Sequence, residues 1–227
     1  MSLALPGFFS PPLDPYSGVT DFSGEWQNST FTSFPLIDTS SGTNFSSAWR
    51  SCSNLTSFPL LDTSSGTNFN SAWRSCSSLT SFPAIDASLG TDLRAAWSGC
   101  SGLTSFPLIS PSSGKNFGQS WRFCSNLVTF PANFFDSWSP ASLDNAPFDL
   151  TWSGCTSLTA QSVENILVSL DTSGVYGTNT GASGGTQLSN HTIDIDYDGS
   201  TLSSATTTAI SNLKTKDWAI SINSAIQ

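Results

Sequence analysis

The chain has 227 residues, only 10% of them charged, and a net charge of −9 from 16 acidic and 7 basic residues. Seven scattered Lys and Arg do not form the cationic cluster that a nucleic-acid surface needs to release counterions, so nucleic acid is excluded as a partner. No run reaches the roughly 18 apolar residues of a membrane span, and an acidic, hydroxyl-rich, weakly charged composition fits a protein working outside the cytoplasm.

Residues 1–25 read as an N-terminal segment that caps the rest of the chain, or that docks onto a partner through the apolar run Leu3 to Phe9. The opening stretch has no basic n-region, and Pro6, Pro11 and Pro12 interrupt any apolar helix, so no signal peptide is read in it. Two routes to the outside remain: trimming of an exported form, or release of a virion component by lysis.

From residue 26 to 159 a 24-residue unit recurs. Phe34, Phe58, Phe82, Phe106 and Phe130 fall at that spacing, as do Trp49, Trp73, Trp97 and Trp121. A fixed period of this size signals a repeat architecture. In one unit, Phe69, Ala72, Trp73 and Cys76 lie at i, i+3, i+4 and i+7, which predicts a short helix with one apolar face. Leu93, Ala96, Trp97 and Cys100 repeat the pattern, as do Phe117, Ser120, Trp121 and Cys124. Gly66 marks the preceding turn, and Thr67 or Asn68 can cap the helix. Leu79, Phe82 and Ala84 then predict a short strand with those residues inward. Pro83 lies at its end, where a missing N–H is tolerated, and Asp86 opens a turn toward Gly90.

No unit can bury its Trp, Phe, Leu and Cys alone, so stacking is expected to join them into ladders. Cys52, Cys76, Cys100, Cys124 and Cys155 share one slot. Stacked about 4.8 Å apart with parallel Cβ vectors, they are poorly placed for disulfides and are expected to be buried free thiols. The expected fold is an α/β solenoid: a leucine-rich repeat of about six 24-residue coils, with a parallel sheet on one face and short helices on the other.

The run Trp73-x-x-Cys76-x-x-Leu79-x-x-Phe82-Pro83, with Cys76-Ser-Ser-Leu-Thr-Ser-Phe leading into an Asp-x-Ser turn, resembles the BspA-like leucine-rich repeat family of bacterial surface proteins. Repeats worded Ser-Phe-Pro-Leu-Ile-Asp-Thr-Ser are also similar to those of tail-fibre-like structural proteins of marine bacteriophages. The resemblance covers residues 26–159 and implies surface display and adhesion.

The period breaks at both ends. Trp26 begins a degenerate copy in which Phe31 takes the Leu position. Cys124 and Cys155 are 31 residues apart, and the insertion holds Phe134, Phe135 and Trp138, either core or an exposed aromatic contact. Residues 160–227 read as a C-terminal α/β cap of longer helix–strand units closing the array. Val163, Ile166, Leu167 and Leu170 predict an amphipathic helix, and Gly174 to Gly185 a polar loop. Thr192 to Tyr197 alternates like a strand. Ser203 to Lys214, with Ala205, Ile210 and Leu213 apolar, reads as a second helix, and Trp218 to Ile222 as a last strand.

No catalytic constellation is legible. His191 is the single histidine, and no phosphate loop, Gly-x-Ser-x-Gly or paired His occurs, so neither enzyme activity nor a cofactor is expected. Asp194, Asp196 and Asp198 are either solvated carboxylates or ligands for a hard cation. The ladder of Asp38, Asp62 and Asp86 either caps its own turns or is neutralised by Ca²⁺. Ser110 takes the next position and suits the turn better than the metal.

The residues between the inward Leu and Phe project outward: Thr32 and Ser33, Thr56 and Ser57, Thr80 and Ser81, Thr104 and Ser105, Val128 and Thr129. These columns are either ordinary exposed positions or a multivalent face for a repetitive ligand such as a surface glycan. The expected function is a non-enzymatic virion-surface structural or adhesion protein. Its expected partners are other virion or surface proteins, a host-surface glycan or protein, and a second copy of itself. A bacterial cell-surface adhesin is the alternative, and an ice-binding solenoid a remote third.

Overall fold

A computed structural model describes residues 14–144, 146–177, 191–223 and 225–226. The apolar run Leu3 to Phe9, most of the loop expected after Gly174 and the side chain of His191 lie outside the described residues.

The expected α/β leucine-rich solenoid of about six coils is not what the chain forms. Among the described residues the helices are α1 (Ala160–Ser173) and α2 (Ser204–Thr215). The strands are β1 (His191–Ile195), β2 (Trp218–Ile222) and β3 (Ala225–Ile226). They form one sheet of order β1-β2-β3, with β1 parallel and β3 antiparallel to β2. All of these lie C-terminal to the repeats. The segments expected as repeat helices are chains of turns. Those expected as repeat strands meet only at isolated bridges, such as Ser33 with Ser57 and Ser105 with Thr129.

The backbone hydrogen bonds explain the missing helices. A helix needs each N–H to reach the carbonyl four residues back. Here alternate N–H groups leave the segment. Those of Phe45, Ser47, Trp49 and Ser51 donate to the carbonyls of Asn68, Asn70, Ala72 and Arg74 at 2.7–2.8 Å. The N–H groups between them close tight turns, as Ala48 does onto Phe45 and Arg50 onto Ser47. This alternation puts every fourth residue in the left-handed region: Ser47 and Ser51 (φ 57° and 61°), Ser71 and Ser75 (56° and 63°), Ala95 and Gly99 (53° and 75°). The apolar face at i, i+3, i+4 and i+7 survives, because Phe69, Ala72, Trp73 and Cys76 are all fully buried.

The 24-residue period therefore governs packing, without the expected regular elements. Successive layers stack Trp26, Trp49, Trp73, Trp97, Trp121 and Trp152 with ring centroids 5.1–5.6 Å apart. Phe34, Phe58, Phe82, Phe106 and Phe130 form a second column at 5.8–6.0 Å, edge-on to the indoles. The stacking extends to Phe22, whose ring lies 5.4 Å from that of Phe45. Each aromatic buries about 150–250 Å², enough to hold the layers together.

Gly66 shows how tightly a layer closes. A Cβ there would lie 2.4 Å from Cζ of Phe69 and 3.0 Å from the carbonyl oxygen of Thr63. Gly42 and Gly114 meet the phenylalanine of their own layer in the same way. The inserted Phe134, Phe135 and Trp138 are core, and the Trp138 indole donates to the carbonyl of Gly114 at 2.7 Å.

The C-terminal elements fall where the pattern places them. Val163, Ile166, Leu167 and Leu170 of α1 are buried against the stack. In α2, Thr206, Ala209, Ile210 and Leu213 face inward and Ala205 faces solvent, one residue off the expected face. Ser203 caps α2 by accepting from the N–H of Thr206. No helix of the described residues is long and apolar enough to cross a membrane.

Candidate functional site

The hydroxyl columns are on the outside. Thr32, Ser33, Thr56, Ser57, Thr80, Ser81, Thr104, Ser105 and Thr129 are all exposed, and Val128 interrupts them at 39% exposure. They are held out because the flanking Leu55, Leu79, Leu103 and Leu127 are fully buried and the phenylalanine column turns inward. Part of their bonding capacity is used between layers. Both the N–H and the hydroxyl of Thr56 donate to the carbonyl of Thr32, at 2.9 and 3.0 Å. The N–H of Val128 reaches the carbonyl of Thr104 at 2.9 Å.

A second column was not legible as exposed. Leu36, Leu60 and Leu108 stand 75%, 62% and 54% exposed, with Ala84 in the same slot, also exposed. Ala84 therefore does not point inward; its neighbour Ile85 does, as do Leu61 and Ile109. At Ala84 the backbone bends at the proline. Ile85 donates its N–H to the carbonyl of Pro83, two residues back, at 2.9 Å. That contraction breaks the alternation of a strand and moves the inward position one residue on.

Next along each layer stand the aspartates. Asp38 Oδ1 accepts from both the N–H and the hydroxyl of Ser40, and Asp62 Oδ1 does the same with Ser64. Asp86 accepts from the N–H of Ser88. These bonds, the hydroxyl first, hold the Asp38 and Asp62 carboxyls below the usual carboxylate range. Turn capping is thus what the carboxylates do. Among the described residues, no group of three or more His, Cys, Asp or Glu comes together to hold a metal.

A third polar column was read from the sequence only at Asn68, as a helix cap. Asp21, Asn44, Asn68, Asp92 and Asn116 each accept, through the side chain, from the N–H two residues on. Their recurrence just before the aromatic position, as in Thr67-Asn68-Phe69, was the available signal.

Asp194 and Asp196 serve the end of the stack. Inside the array, left-handed residues such as Ser47 and Ser51 donate to the next layer's carbonyls. In the last repeat the equivalent donors are Leu150 and Gly154 (φ 52° and 80°). Their N–H groups go instead to Asp194 Oδ2 at 3.3 Å and Asp196 Oδ2 at 2.8 Å, while Trp152 bridges to Ile195 of β1. Asp198 caps its own turn at Ser200.

The five cysteines are free and buried. Each thiol donates to the carbonyl of the tryptophan before it in the stack: Cys52 to Trp26, Cys76 to Trp49, Cys100 to Trp73, Cys124 to Trp97 and Cys155 to Trp121, at 2.9–3.2 Å. Burial pushes the Cys100 and Cys155 thiols up to about 12. Such thiols carry no nucleophilic chemistry at neutral pH. A groove between α1 and α2, lined by Val168, Asp171, Thr208 and Ala209 among others, is shallow and open.

No family model, curated protein or solved structure matches this chain.

Proposed function

We propose that this is a non-enzymatic virion-surface structural and adhesion protein that presents its exposed hydroxyl columns to a host surface. The observation that carries the reading is the outer face of the stack. Thr56, Ser57, Thr80, Ser81, Thr104, Ser105 and Thr129 stand exposed in register, layer after layer, over an aromatic core. A rigid face of repeated weak groups binds through multiplicity rather than through one pocket. Other virion or surface proteins are its structural partners, and a host-surface glycan or protein its ligand. The Ser-Phe-Pro-Leu-Ile-Asp-Thr-Ser wording, similar to bacteriophage tail-fibre-like repeats, favours the virion. The BspA-like Trp-x-x-Cys-x-x-Leu motif supports the second reading, a bacterial cell-surface adhesin.

Two measurements test this. Immunogold imaging with an antibody to the protein is expected to label virus particles; label confined to the cell surface selects the adhesin, and label only inside cells overturns both. In an attachment assay, Thr80→Arg is expected to abolish binding by placing a bulky cation in the middle of the face. Unchanged attachment sinks the hydroxyl face as the binding surface.

A further inference from the structure

Scattered exposed leucines are ordinary on a protein surface. Leu36, Leu60 and Leu108 are not scattered: they occupy one slot of successive layers, with Ala84 completing the column, and each follows a proline. A contiguous apolar strip of this kind marks a contact surface. On one side it borders the exposed column that includes Ser57, and on the other the carboxylates of Asp38 and Asp62. Across the first three layers the face thus reads hydroxyl, hydrocarbon, carboxylate, and in the fourth Ser110 takes the place of the carboxylate.

We infer that the ligand of this face is an extended, uncharged, β-linked glycan lying along the stack, one sugar ring per layer. This deepens the reading of the face as a ligand surface and rests on it. Three observations point to this occupant. The repeat comes first: aromatic rings of successive layers sit 5.1–5.6 Å apart in the indole column and 5.8–6.0 Å apart in the phenylalanine column, a spacing of the same order as the length one pyranose ring adds to an extended chain. The chemistry is the second. A pyranose presents a C–H face, which the leucines and prolines can cover, and equatorial hydroxyls at both edges. Those hydroxyls meet Ser57 and its column mates on one side and carboxylate acceptors on the other, where charge-assisted hydrogen bonds form. Charge is the third. Asp38 and Asp62 are held ionised by their own turns, and the chain carries −9 overall, so a polyanionic glycan is repelled from this face.

The geometry also sets a length. Leu36, Leu60, Ala84 and Leu108 give four consecutive platforms, of which the Ala84 platform is the weakest.

Isothermal titration of the protein with β-1,4-linked glucose oligomers of two to six rings tests this. Affinity is expected to climb with each added ring up to four and to change little beyond. Leu60→Ser is expected to weaken binding of the four-ring oligomer about tenfold, while circular dichroism stays that of the parent. Ala84→Leu is expected to tighten binding by completing the strip. Galacturonate oligomers of equal length are expected to bind at least about tenfold more weakly, and Asp62→Asn to narrow that gap. Absence of binding, no dependence on length, or unchanged affinity in Leu60→Ser overturns the inference. If glucose oligomers fail to bind while Thr80→Arg still abolishes cell attachment, the glycan assignment falls, the ligand face stands and a protein receptor is the occupant. If Thr80→Arg leaves attachment intact, the underlying reading falls as well.

Discussion

Asp196 Oδ2 accepts the backbone N–H of Gly154 at 2.8 Å, across 42 residues of sequence. A side chain here does what a backbone carbonyl does inside the stack. Asp196→Ala leaves that N–H without its acceptor and is expected to cost about 1–2 kcal/mol, read by urea unfolding. Asp196→Asn keeps an oxygen in place and is expected to lose less than half as much. If the carboxylate acted instead through a bound cation, added calcium would raise the melting temperature of the parent but not of Asp196→Ala.

The cysteine column predicts a pH limit. An unfolded thiol ionises near 9.0, whereas Cys100 and Cys155 ionise at about 12 in the folded chain. The folded state holds these protons more tightly. Stability is therefore unaffected by these groups below pH 9 and falls as pH rises from 9 toward 12. Cys100→Ala is expected to flatten that alkaline loss. In native protein at pH 8, a thiol reagent such as Ellman's is expected to find all five cysteines unreactive, and in denaturant all five reactive. Rapid native labelling of Cys100 would remove the basis for both expectations.

Gly66 is fixed by space. In Gly66→Ala the new methyl meets the ring of Phe69 at 2.4 Å and the carbonyl of Thr63 at 3.0 Å. Overpacking of this kind costs about 1–3 kcal/mol. Thermal unfolding is expected to show a lower midpoint, and a midpoint equal to the parent's would mean that the Phe69 ring moves aside freely.

Ser75 predicts the opposite sign. It holds φ at 63°, where an L side chain is disfavoured by about 1–2 kcal/mol. The equivalent residue one layer on is already glycine, Gly99. Ser75→Gly is expected to stabilise by up to about 1 kcal/mol, since part of the gain is offset by a freer unfolded chain. Destabilisation would show that the Ser75 side chain makes contacts worth more than its strain.

What could be read from the sequence divides along a physical line. Burial was legible: Trp73, Cys76, Leu79 and Phe82 are inside because apolar residues at a fixed period leave few other arrangements. The backbone was not. The spacing of Phe69, Ala72, Trp73 and Cys76 is compatible with a helix, and nothing in Ser71 or Ser75 announces a left-handed residue. Bonding between layers made the choice, and it depends on neighbours 23 residues away. The hydroxyl columns were legible as the outward positions between Leu and Phe. Ala84 was expected inward because the bend that joins Ile85 to Pro83 is not written in a Leu-x-x-Phe-x-apolar spacing. Asp194 and Asp196 were visible as a pair, but their acceptor role needs the unpaired donors of Leu150 and Gly154 to be known first.

The ladder from Ser47 to Asn70 and from Ser71 to Arg94 also gives the stack a direction. Along this edge every interlayer N–H points the same way, toward the C-terminal end, so bond dipoles add instead of cancelling. On this edge the last layer is left with outward-pointing donors, and Asp194 and Asp196 supply their acceptors. A lineage that duplicates or drops a whole 24-residue interval between the ends leaves this polarity intact. The reach of the face can then evolve by copy number, like the marks on a ruler, while each mark stays chemically the same.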